Sequence, residues 1–165
     1  MAGASGSRAD GVGQERFLAD AEARGLQVEV VERPAAKSLE EAAGILGITP
    51  ADIVKSLVVK HKDGTFLFAL IPGDRQISWP KLRTLVGVNK LSLPPAETAL
   101  EATGYERGTI TPLGSTTAWP VYADATITGR RISMGAGAHG YSAFVDADAL
   151  TAALGAVVAD ISEPG

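Results

Sequence analysis

Residues 104–114 read Gly-Tyr-Glu-Arg-Gly-Thr-Ile-Thr-Pro-Leu-Gly, and no other stretch restricts the chain as much. Three glycines and one proline fall within it, after a helix-like run and before Trp119-Pro120-Val121-Tyr122. Glycine tolerates positive φ and lets another backbone or a ligand come close, while Pro112 fixes one φ and removes a donor. A loop constrained in this way can aim several backbone N–H groups at one point. Chemistry on a carbonyl or a phosphate needs that arrangement.

The segments around this loop alternate between helix and strand signals. Phe17, Leu18 and Ala21 have helical spacing within 14–24, and Gly25 ends the run. Val28-Glu29-Val30-Val31 reads as a strand. Ser38-Leu39-Glu40-Glu41 has the spacing of a capping box and opens a helix that reaches Leu46 and stops at Gly47. Thr49-Pro50 starts another, with Thr49 as N-cap. The apolar runs 55–60 and 65–71 flank Asp63-Gly64 and predict a hairpin.

Ser78-Trp79-Pro80 predicts a short helix to Val86, and 95–103 another, stopped by Gly104. Strands are expected at 121–123, 131–134 and 142–145. A last helix spans 146–154, capped by Asp146 or Asp148, and a last strand contains Val157-Val158. Strands come in clusters with helices interspersed irregularly. The expected class is α+β, with a mixed, barrel-like β-sheet flanked by short helices.

At 165 residues and 45% hydrophobic, the chain is expected to form a single domain over 14–165 behind a flexible Gly/Ala/Ser-rich tail at 1–13. No cysteine is present, which excludes disulfides, thiolate metal sites and a cysteine nucleophile. No apolar stretch approaches the length of a membrane span and no secretory h-region opens the sequence. These features lead us to expect a soluble, cytoplasmic protein.

The net charge of −4 is unevenly spread. Residues 1–52 carry 5 basic and 9 acidic side chains, 53–131 carry 10 and 6, and 132–165 carry 4 acidic and no basic ones. The middle segment is therefore positive between two negative ones. It is either a chance clustering on a solvated surface or an anion-binding face suited to a short piece of nucleic acid.

Gly135-Ala136-Gly137-Ala138-His139-Gly140 matches the dinucleotide pattern G-x-G-x-x-G, with Asp160 20 residues beyond it. That pattern should open a helix, whereas Tyr141-Ser142-Ala143-Phe144-Val145 reads as a strand. A glycine-rich turn is therefore expected, and no cofactor. No G-x-S-x-G elbow is present, and His61 and His139 lie 78 residues apart, so neither a serine hydrolase nor a metal site is supported. His139 reads either as a ligand-facing donor or as an exposed loop histidine.

Lys55 lies where the short helix after Pro50 enters the strand Ser56-Leu57-Val58-Val59. A lysine there can snorkel to solvent. Turned inward at the sheet edge, it would supply positive charge and hydrogen bonds to a polar ligand.

Several of these segments, in order, resemble the YbaK/ProX family of prolyl-tRNA-editing-like domains. Residues 49–59 resemble the segment that bears the family's lysine. Leu70-Ile71-Pro72-Gly73-Asp74-Arg75-Gln76-Ile77 looks like its "lpgdr" strand end, and 82–91 like the helix and strand that follow. Gly108-Thr109-Ile110-Thr111-Pro112-Leu113-Gly114 is similar to its G-x-x-S-P-x-G signature, with Thr111 in place of Ser. Residues 135–150 are similar to its late turn, strand and final helix. The likeness extends over about 26–160.

The resemblance implies the α+β, barrel-like fold and a trans-acting aminoacyl-tRNA deacylase. Its substrate would be mischarged tRNA(Pro) carrying a small amino acid such as Ala, Cys or Ser. Lys55, Gly108 and Thr111 would act catalytically. Thr109, Ile110, Pro112, Gly114, Gly135, Gly137, His139 and Ser142 would bind substrate. Ser142 stands where some cysteine-specific members have an aspartate. The implied partners are the acceptor end of the tRNA and prolyl-tRNA synthetase, with neither DNA nor a membrane. Hydrolysis of an aminoacyl ester needs a positioned water and donors for the oxyanion, and no protein nucleophile or cofactor. A non-catalytic module that binds an aminoacyl-adenosine-like ligand or a protein partner is the alternative, motivated by Thr111 and Ser142.

Overall fold

The structure is a computed structural model that describes residues 8–165. Most of the expected 1–13 tail, residues 1–7, lies outside the described residues. The remainder of it is helical: α1 spans Arg8–Ala23 and begins ahead of the run read from the sequence. Gly11 and Gly13 are poor helix formers, which is why the sequence placed these residues in a tail. Tertiary packing overrides that preference. Phe17 and Ala21, one turn apart, are buried together, while Leu18 faces outward at 42% exposure.

The remaining helices start and stop where their caps direct. In α2 (Leu39–Leu46) the Ser38 hydroxyl accepts a hydrogen bond from the Glu41 N–H, and Gly47 closes the helix at φ +70°. Ser78 and Asp146 cap α3 (Trp79–Val86) and α5 (Ala147–Leu154) in the same way. α4 spans Ala96–Thr103 and ends at Gly104. The start at Thr49 yields only a single 3-10 turn, Pro50–Asp52. There the Asp52 carboxylate takes both the N–H and the hydroxyl of Thr49 at 3.2 and 2.8 Å.

Ten strands make three sheets among the described residues. β2 (Val54–His61) and β3 (Phe66–Pro72) form the expected hairpin, with Asp63 Oδ1 accepting from the Thr65 N–H inside its turn. β5 (Leu91–Ser92) pairs with the far end of β2, and β6 (Val121–Asp124) and β9 (Val157–Ala159) add in parallel on the other side of β3. The resulting sheet is mixed, in the order β5-β2-β3-β6-β9. β1 (Glu29–Glu32), β8 (Tyr141–Asp146) and β7 (Arg131–Gly135) form a second, antiparallel sheet. β4 (Arg75–Ile77) and β10 (Ser162–Pro164) pair as a third.

The expected barrel-like closure is not seen, because these sheets stay separate. One bridge, Ile53 to Ser133, joins the start of β2 to β7. The glycine-rich turn expected at 135–140 is the β7–β8 hairpin connection, and no helix follows it.

β3 is apolar and almost wholly buried because both of its faces are covered. Phe68 and Leu70 enter one core with Phe17, Ile132, Val145 and Leu150. Leu67, Ala69 and Ile71 enter a second core with Leu82, Ile77 and Ile161. The two-residue period of a strand divides one sequence between two cores. No helix among the described residues is long and apolar enough to cross a membrane.

Candidate active site

A cavity of about 310 Å³ opens where the start of β2, the end of β7, the start of β8 and the 104–114 loop meet. The register explains the meeting: Gly135 of β7 pairs with Ser142 of β8, which pairs with Val31 of β1. The Ile53–Ser133 bridge brings β2 against the same edge. Lys55, Gly108, Ile110, Gly135 and Ser142 all line this cavity. Segments distant in sequence thus supply five of the expected site residues to one wall.

The cavity is basic. Arg33, Lys55 and Arg107 line it, and none of its lining residues is acidic. The Lys55 Nζ donates to the carbonyl oxygen of Arg75 at 2.8 Å. Burial pushes this amine below its ordinary value, and the nearby Asp74 charge offsets part of that shift.

Two buried polar atoms on lining residues have no partner among the described residues, Arg33 Nε and Ser56 Oγ. An unpaired buried donor or hydroxyl is costly, and a bound ligand removes that cost. These groups, with Arg107, Ser133 and Tyr141, are the polar lining residues that sequence reasoning missed. Arg33 sits in the acid-rich first third of the chain, where the charge count pointed away from it. Ser56 follows Lys55, and that adjacency was the available signal.

The loop divides its backbone groups between two tasks. The Thr109 N–H donates to the Glu106 carbonyl at 3.0 Å, and the Leu113 N–H to the Thr111 hydroxyl at 3.2 Å. The Gly114 N–H donates to Asp20 Oδ2 at 2.8 Å. The N–H groups of Gly108 and Ile110, both on cavity-lining residues, make no hydrogen bond among the described residues. Gly108 has φ +91°, which only glycine adopts without strain.

The other expected residues are not among those that line the cavity. Thr111 is fully buried, and its hydroxyl closes a local turn on Leu113. Thr109 is buried, with its hydroxyl donating to the Glu106 carbonyl at 2.8 Å. Pro112 is buried within the loop. Gly114 faces α1, since a Cβ there would lie 2.5 Å from the Arg16 carbonyl oxygen. Gly137 also faces α1, and a Cβ on it would meet the Gly13 carbonyl oxygen at 2.5 Å. His139 is exposed, with Nε2 3.5 Å from Glu106 Oε2 and its ring 3.9 Å from where a Cβ on Gly108 would stand. Spacing along the loop could not tell which residues turn inward, because α1 takes one side of it.

Comparison with known proteins gives a consistent result. The family profile described as an aminoacyl-tRNA editing domain matches residues 33–153. A solved structure described as a candidate trans-editing enzyme for prolyl-tRNA synthetase superposes with a TM-score of 0.83. It is 31% identical, and the alignment covers 92% of this chain and 97% of that one. The proline–tRNA ligase of Bacillus licheniformis is 33% identical over 101 residues, 61% of this chain and 18% of the ligase. That of Trichlorobacter lovleyi is 30% identical over 120 residues, 73% of this chain and 20% of the ligase. The chain therefore spans about a fifth of the length of these curated relatives.

Proposed function

Because the chain belongs to the aminoacyl-tRNA editing domain family, we propose that it hydrolyses the ester of a mischarged tRNA at the cavity between β2, β7 and the 104–114 loop. The observation that carries this reading is that Lys55, Gly108 and Ile110 line one cavity with no carboxylate in its lining, and that the Gly108 and Ile110 N–H groups make no hydrogen bond among the described residues. Its substrate on this reading is tRNA(Pro) carrying a small amino acid such as Ala, Cys or Ser; the likeness to proline–tRNA ligases supports the tRNA half of that reading.

The cations Arg33, Lys55 and Arg107 suit the terminal phosphates of an acceptor end. A water adds to the ester carbonyl carbon, and negative charge moves to the carbonyl oxygen. The Gly108 and Ile110 N–H groups stabilise that charge as it develops. The bond to the ribose oxygen then breaks and the oxygen takes up a proton, leaving a free amino acid and a tRNA with a free terminal hydroxyl. Lys55 holds the terminal nucleotide or the carbonyl region with the ammonium N–H groups not used in its bond to the Arg75 carbonyl. No side chain needs to become acylated, which fits a chain with no cysteine.

Thr111, buried with its hydroxyl turned onto the Leu113 N–H and not lining the cavity, favours a second reading, a binding module that holds an aminoacyl-adenosine-like ligand without turnover. Incubation with tRNA(Pro) charged with Ala, Cys or Ser separates the two. Shortened ester lifetimes support the deacylase, whereas a melting shift with an aminoacyl-adenosine analogue and unchanged lifetimes support the module.

A further inference from the structure

Helix α1 lies entirely before residues 33–153, yet it touches both loops beside the cavity. Arg16 donates from Nε to the Gly114 carbonyl at 3.0 Å and from one terminal nitrogen to the Gly104 carbonyl at 2.9 Å. One guanidinium therefore grips both ends of the 104–114 loop. One turn further along, Asp20 Oδ2 accepts from the Gly114 N–H at 2.8 Å.

The Arg16 guanidinium also lies 4.6 Å from the centre of the buried Tyr105 ring, whose hydroxyl donates to the Leu113 carbonyl at 2.6 Å. The second loop is held by backbone contact. A Cβ on Gly13 would stand 2.1 Å from the Gly137 carbonyl oxygen, so only glycine lets the helix approach this turn. The Gly137 N–H in turn donates to the Thr109 carbonyl at 3.0 Å, linking the two loops to each other.

We propose that α1 sets the position of the Gly108 and Ile110 N–H groups, with Arg16 and Asp20 as positioning residues that never touch substrate. Catalytic relevance rests on the deacylase reading, but the positioning itself does not. A planar guanidinium reaches two carbonyls at fixed separation, which a lysine ammonium does not reproduce. A hydrogen-bond donor displaced by about 1 Å from the developing oxyanion loses up to about a hundredfold in rate.

The test compares Arg16→Ala, Arg16→Lys, Asp20→Ala and Glu22→Ala in the full chain. Glu22 is the control: it is exposed on the same helix, and no bond joins it to the loop among the described residues. In a two-dimensional amide NMR spectrum, the Gly108 and Ile110 cross-peaks are expected to move in the first three variants and to stay in place in Glu22→Ala. With an ester substrate, kcat falls about tenfold or more while KM stays near the wild-type value, and Arg16→Lys does not rescue. If the Arg16 variants fail to fold, Asp20→Ala, which removes a single loop contact, carries the test. Unmoved Gly108 and Ile110 cross-peaks in the folded variants overturn the proposal. A wild-type protein that hydrolyses no ester overturns the function reading instead, and the amide spectra still decide the positioning.

Discussion

The Nζ of Lys55 lies 2.8 Å from the main-chain carbonyl oxygen of Arg75, and that bond fixes the amine beside the cavity. Arg75 is itself held by the last strand, its Nε donating to Ser162 Oγ at 2.6 Å. Residues 162–164 thus anchor the lysine, as α1 anchors the loop. Both supports lie outside residues 33–153.

The lowered Lys55 value has a defined effect on stability. The native amine releases its proton below the ordinary 10.5, so between those values the unfolded chain binds more protons. The lysine's contribution to stability therefore rises with pH across that window. Denaturant midpoints of wild type and Lys55→Met, compared across alkaline pH, should differ with this slope; a pH-independent difference would contradict the assignment.

Ser56 has a hydroxyl buried beside the cavity with no partner among the described residues. Ser56→Ala removes an unsatisfied group and should stabilise the ligand-free protein, by up to about 1 kcal/mol. The same change should weaken binding of an aminoacyl-adenosine analogue. Thermal melts with and without the analogue read both effects, and a destabilised variant with intact binding would refute this role.

Gly135 and Gly44 should respond oppositely to alanine. A Cβ at Gly135 would stand 2.5 Å from the Ile110 carbonyl oxygen, whereas one at Gly44 in α2 meets open space. Gly135→Ala should cost about 1–3 kcal/mol and displace Ile110. Gly44→Ala should gain about 0.5–1 kcal/mol. Chemical denaturation of the two variants checks both signs.

Asp124 is fully buried at the end of β6 and accepts the N–H of Ile161, in the β9–β10 connection, at 3.1 Å. Burial alone would raise its value, but hydrogen bonds from Thr126, Ile161 and Ser162 hold it below the ordinary 3.8. Its contribution to stability is therefore present above pH 3.8 and lost as pH falls through the lowered native value. Asp124→Asn should lower stability by about 1–3 kcal/mol at neutral pH. It should also flatten the acid limb of the melting curve, and an unchanged limb would show that Asp124 does not govern it.

Local signals carried much of the fold. Ser38 and Ser78 cap the helices expected at their positions, Asp146 is the one of the two expected aspartates that caps the last helix, and Asp63-Gly64 turns the hairpin. Signals that depend on distant partners were not legible. Residues 8–13 looked like a tail because Gly13 has low helix propensity, and its use became visible only against Gly137. β4 and β10 are three residues each, too short for a periodic pattern, and gain their definition from pairing with each other. At the site, the loop and Lys55 were readable from composition and motif order. The division of the loop into a cavity side and an α1 side was not, because it depends on Arg16 and Asp20 almost a hundred positions away.

The central claim is ester hydrolysis at the Lys55 cavity. Its most direct test is the lifetime of the aminoacyl ester on Ala-, Cys- and Ser-tRNA(Pro) with wild type and with Lys55→Ala. The account predicts that wild type shortens at least one of these lifetimes and that Lys55→Ala loses about a hundredfold of that rate. Equal lifetimes with wild type, with Lys55→Ala and without protein, across all three esters, would contradict it.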